Sequence, residues 1–197
     1  SLCLVTPNRR SGVFFRKYFS KGVKQTMWAP EVMSVEDFIN SISQLSIPDN
    51  TSLLLKFYTI YRELEQEKAD PPEVFLQWAP GLMRDFDEMD AHMVSSEALF
   101  GYLQDVKYIE SWNPEGQSLT RGQEEYLAFF GKLRLYHQKF TDYLLENSLA
   151  YQGLSAGMAA RRIESGSFLL PWEKVIFAGF NALTKAEEVI IDHLIRE

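Results

Sequence analysis

Three short apolar runs in this chain each pass through a polar turn into a helix-start signal, and that recurrence narrows the fold more than any other feature. The first is Leu2-Cys3-Leu4-Val5, followed by the turn Thr6-Pro7-Asn8-Arg9-Arg10-Ser11-Gly12 and the helix-prone Val13-Phe14-Phe15-Arg16-Lys17-Tyr18-Phe19. The second is Thr26-Met27-Trp28-Ala29 with Val32 and Met33, interrupted by Pro30. It runs into Ser34, which stands three residues before Asp37 in the spacing of a capping box. The third is Val175-Ile176-Phe177-Ala178, which leaves through Gly179-Phe180-Asn181-Ala182-Leu183 to Thr184. Thr184 and Glu187 repeat the capping spacing ahead of a helix over Lys185–Arg196. Strands that alternate with helices pair in parallel, so the three runs are expected to share one parallel sheet.

From Ile47-Pro48-Asp49 onward the pattern changes to long helices. Leu53, Leu54, Phe57, Ile60, Tyr61 and Leu64 make one apolar stripe at helical spacing. Pro71-Pro72 ends that helix and opens the next, with Val74, Phe75, Trp78, Leu82 and Phe86 facing inward. A third helix is expected from Ser96 to about Val106, then a loop from Tyr108 to Leu119 around Asn113-Pro114-Glu115-Gly116. Thr120 and Gln123 cap the longest helix, Arg121 to Glu146, whose stripe includes Tyr126, Phe129, Phe130, Leu133, Tyr136, Phe140, Tyr143 and Leu144. Leu149 to Glu164 reads as one more. The expected organisation is an α/β core from 1–46 and 168–197, with 47–167 as a helical insertion.

Charge singles out the amino end. Net charge is −7, which argues against a generic nucleic-acid coat. Yet residues 1–25 hold six of the 20 basic side chains (Arg9, Arg10, Arg16, Lys17, Lys21 and Lys24) and none of the 27 acidic ones. A strand that delivers a basic, hydroxyl-bearing turn onto a helix start suits phosphate, because free N–H groups and the helix dipole both favour anions there. Such a turn lies at the carboxyl end of its strand, where open α/β sheets place ligands. The single cysteine, Cys3, sits in an apolar run and reads as a buried structural thiol of a cytoplasmic protein. No apolar run approaches the ~20 residues of a membrane helix, and no signal peptide is present. Ser1 opens directly on a strand and Glu197 lies on a helix without a stop signal, so the chain is expected to belong to a longer polypeptide.

The sequence holds no Gly-x-x-x-x-Gly-Lys-[Ser/Thr], Gly-x-Gly-x-x-Gly or Gly-x-Ser-x-Gly. His92, His137 and His193 have no partner at metal-ligand spacing and read as surface or capping residues. Asp85-Phe86-Asp87-Glu88-Met89-Asp90 is the one dense acidic cluster; a helical stripe precedes it, so it reads as a solvated helix end rather than a Mg²⁺ site. Gln66-Glu67-Lys68 matches part of a nuclease signature but falls on a helix, and the match is taken as coincidental.

Several stretches together resemble AddB-like proteins, large bacterial helicase–nuclease subunits of DNA double-strand-break repair, above all the Bacteroidetes-type PD-(D/E)XK nuclease family members. The likeness is carried by Val5–Phe15, Asp85–Asp90, Leu149-Ala150-Tyr151-Gln152-Gly153 and Val175–Thr184, in that order and across nearly the whole chain. It implies a partial P-loop-NTPase, superfamily-1 helicase-like parallel sheet (lobe 1A) with a large all-helical 1B-like insertion, and a nuclease domain beyond residue 197. It places Thr6, Asn8, Arg9, Arg10 and Arg16 in motif Ia, which touches the single-strand backbone, and Asn181 and Thr184 near motif III. The implied partners are single-stranded or duplex-end DNA and a partner helicase or nuclease subunit, with no membrane.

No cofactor is expected in this chain; ATP and Mg²⁺ would require a phosphate loop outside it. The expected role is an ATPase-silent, DNA-binding or scaffold region of a hydrolase of recombinational repair. Two alternatives stand beside it. One is an active ATP-dependent helicase whose phosphate loop lies upstream. The other is a scaffold docking a partner helicase subunit, favoured if Trp78, Trp112 or Phe100 is exposed, although burial in the core is expected of each.

Overall fold

The computed structural model describes residues 1–24, 26, 28–111 and 121–196. Trp112, the loop around Asn113-Pro114-Glu115-Gly116 and the Thr120 cap lie outside the described residues. The chain runs β1 (Leu2–Thr6), α1 (Arg9–Gly22), β2 (Glu31–Ser34), α2 (Val35–Ser43), α3 (Asn50–Glu65), a 3-10 turn (Gln66–Lys68) and α4 (Pro72–Ala91). It continues through α5 (Ser96–Ser111), α6 (Arg121–Glu146), α7 (Gln152–Glu164), β3 (Lys174–Phe177) and α8 (Lys185–Arg196). It is a mixed α/β protein with two compact units, Ser1–Ser46 with Leu154–Glu197, and Ile47–Gly153. No helix among the described residues is long and apolar enough to cross a membrane.

In the α/β unit the strands form one parallel sheet in the order β2-β1-β3. The register sets Thr6 beside Ser34 and Val5 beside Phe177, so all three strands end along one edge. The central strand is buried from Cys3 to Thr6. Burial pushes the Cys3 thiol up to about 11, with Glu31 adding to the shift, so it is a neutral packing group. The second extended segment begins at Glu31 rather than Thr26: Pro30 has no N–H to donate, and the ladder starts only after it. Ser34 and Asp37 form the expected cap on α2, the Asp37 N–H donating to Ser34 Oγ at 3.2 Å and the hydroxyl to Asp37 Oδ2 at 2.7 Å.

The chain returns to the α/β unit at 153/154, not at 167/168. Residues 154–164 of α7 belong with α2 because their polar groups are satisfied there. The fully buried Ser155 lies 2.8 Å from Ser43 Oγ and donates to Asn40 Oδ1 at 2.9 Å. Arg162 donates to the Ser43 carbonyl at 2.9 Å, meeting one of the acceptors that the end of α2 leaves without an intrahelical donor.

The helical unit is built around Phe57 of α3, fully buried, with Phe140 at 5.1 Å, Phe75 at 5.5 Å and Phe86 at 6.0 Å between ring centres. Val74, expected inside, is 40% exposed; Phe75 takes the inward position at the start of α4. The acidic cluster divides. Asp85 and Glu88 face solvent as expected, whereas Asp87 accepts the Gly153 N–H at 2.7 Å and Asp90 accepts from the Tyr151 hydroxyl. Asp90 also lies 3.0 Å from His137 Nε2. His137 is therefore a buried partner of α4 and not a surface residue. Burial raises the Asp87 carboxyl above the usual range, opposed by the Gly153 N–H. Trp78 is half-buried and donates to Asp70, and Phe100 is buried.

Candidate nucleic-acid interface

The site grows from the last residue of β1. Thr6 is buried, and its hydroxyl donates to the Asn8 carbonyl at 3.0 Å, with the Met33 carbonyl at 3.2 Å. These contacts fix the turn against β2. Helix α1 starts close over the sheet at Gly12, where a Cβ would lie 3.1 Å from Val32 Cγ1 and 3.4 Å from Thr6 Oγ1, so those side chains would have to give way to any larger residue. Asn8 caps α1, its Oδ1 accepting the Ser11 N–H at 2.9 Å and the Ser11 hydroxyl at 3.1 Å.

The basic residues of this turn differ in what they meet. Arg9 forms a two-pronged pair with Asp37 at 2.7 and 3.1 Å. The Arg9 guanidinium, with the Ser34 hydroxyl, holds the Asp37 carboxyl down to about 2. Arg16 turns toward the sheet and donates to the Val32 carbonyl at 2.6 Å. The Arg10 side chain is exposed and makes no hydrogen bond or ion pair among the described residues. On the same edge, the turn after β3 lies against the first one, with Gly179 next to Pro7. Asn181 is exposed and its side chain has no hydrogen-bond partner among the described residues. Thr184 is committed to capping α8: its Oγ1 accepts the Glu187 N–H at 3.3 Å and its own N–H donates to Glu187 Oε2 at 2.7 Å.

The fold thus gathers Thr6, Asn8, Arg9 and Arg10 at the carboxyl edge of the sheet, and sets Arg16 over β2. Thr6, Asn8 and Arg9 build the turn; Arg10 faces outward from it. Asp37 is the residue that sequence reasoning recognised only as a cap partner. Its pairing with Arg9 spans 28 positions and depends on β1 and β2 lying side by side. An uncompensated guanidinium at a helix start can take a phosphate oxygen, with the helix dipole adding to the attraction. In comparisons with known proteins, no protein-family model and no curated protein matches the sequence.

Proposed function

We propose that this chain is the helicase-like, DNA-binding amino-terminal region of a cytoplasmic helicase–nuclease subunit that processes DNA double-strand breaks, and that it does not itself hydrolyse ATP. The observation that carries this reading is the parallel β1-α1-β2 unit, whose β1–α1 turn is cationic with Arg10 turned to solvent. The three-strand parallel order β2-β1-β3 is compatible with part of a superfamily-1 core. The use of Asp87 and Asp90 inside the helical unit supports the silent reading. The hydrogen bonds of Thr6, Asn8, Arg9 and Arg16 favour Arg10 as the residue on which this role rests.

The test is fluorescence anisotropy with a labelled oligothymidylate. Arg10→Glu is expected to weaken binding several-fold and to lower the salt slope by about one phosphate contact. Arg84→Ala, an exposed arginine of the helical unit, is expected to change it little. Equal affinities for wild type and Arg10→Glu would remove the DNA reading of this turn. The active-helicase alternative is decided by the residues encoded upstream: a Gly-Lys-[Ser/Thr] loop after a strand there would replace the silent reading.

A further inference from the structure

Helix α1 has two unlike faces. Gly12, Phe15, Arg16 and Phe19 fall on one side, and the Gly12 and Arg16 contacts with Val32 fix that side toward the sheet. At 100° per residue the opposite side collects Arg10, Val13, Phe14, Lys17, Tyr18 and Lys21 within an arc of about 140°. Val13 is 63%, Phe14 51% and Tyr18 67% exposed, and Arg10, Lys17 and Lys21 are exposed as well. Lys21 Nζ sits 5.7 Å from the centre of the Tyr18 ring, so cation and ring lie side by side. Helix α1 contains no acidic residue. Three cations without an ion-pair partner among the described residues, in a chain of net charge −7, complement a polyanion.

Two aromatic rings between the cations narrow the class. Phosphate alone would need only the charges, whereas rings at this position need flat apolar surfaces to cover them. Unpaired bases present such surfaces and a duplex hides them within its stack. The stripe runs about 16 Å along the helix from Arg10 to Lys21. It is continuous with the rim through Arg10.

We infer that the outward face of α1 is a stacking surface for single-stranded DNA, with Phe14 and Tyr18 against bases and Arg10, Lys17 and Lys21 against the backbone; this rests on the reading of the chain as DNA-binding. It selects the single strand over the closed duplex.

The full chain is titrated with an oligothymidylate and with a blunt duplex of equal length, and circular dichroism checks that each variant is folded. Phe14→Ala and Tyr18→Ala are each expected to weaken single-strand binding about five-fold or more and to leave duplex binding unchanged. Lys17→Ala is expected to lower the salt slope without changing the preference for single strands. If both aromatic variants bind like wild type while Arg10→Glu is impaired, the stacking surface is wrong and the rim reading survives. If Arg10→Glu also binds like wild type, or the chain binds no oligonucleotide, both fall. Uptake onto phosphatidylserine vesicles that is lost in Phe14→Ala, with oligothymidylate binding unaffected, would overturn the inference in favour of an anionic membrane surface.

Discussion

Arg9 and Arg10 are neighbours of identical chemistry, and the fold gives them opposite fates. The sequence shows that both lie in a turn after a strand, because apolar run, turn and cap are local signals. It does not show which one meets Asp37, because that depends on two strands pairing and on the direction in which a helix leaves the sheet. The pair has a pH signature. Asp37 is held at about 2 in the folded protein against 3.8 for an unperturbed aspartate. Its contribution is therefore complete above pH ~4 and is lost as pH falls toward 2. Acid titration followed by circular dichroism should show Asp37→Asn less stable than wild type at neutral pH, with the difference vanishing across that window. A constant difference from neutral pH down to about 2 would mean that the carboxylate's charge is not what holds the turn.

At the level of whole elements, periodicity located the helices and, apart from Val74 at the start of α4, their buried stripes. The α3 stripe through Leu53, Phe57, Ile60 and Tyr61 is buried as its spacing requires, and α6 has the expected bounds. The expectation failed where polar groups meet across elements. Asp85–Asp90 reads as a solvated helix end from the helical stripe that precedes it, but two of its carboxylates are taken up by Gly153, Tyr151 and His137, which only tertiary proximity brings near. Gly153 marks the closest of these approaches: a Cβ there would lie 1.9 Å from the Asp87 carbonyl oxygen. Backbone on one side leaves no flexible atom to move aside. Gly153→Ala is expected to destabilise the protein toward the upper end of the ~1–3 kcal/mol typical of overpacking, measured by urea unfolding. Gly101→Ala, which meets nothing within 4 Å, serves as the control.

For the molecule as a whole, the sheet joins residues that are far apart in sequence. Leu2 pairs with Lys174, so β1 and β3 close a segment longer than the entire helical unit. Loop-closure entropy delays such pairings, whereas α3 with α4 and α5 with α6 pack as successive helices. In pulse-labelled hydrogen exchange during refolding, amides of α3 and α6 should gain protection before those of Leu4 and Val5. Simultaneous protection would mean that the sheet is not the late step. The two-part organisation was legible from the switch in periodicity near residue 47. The return boundary was not, because α7 is helical on both readings and only its bonds to α2 assign it.

One consequence concerns the lone sulfhydryl. Cys3 lies in the middle strand with no accessible surface and with its proton firmly held. Maleimide reagents accordingly find no target while the native state persists. Cysteines introduced on exposed helical faces can then carry dyes without removal of the native one, and any slow labelling of the unaltered chain times the opening of its central strand.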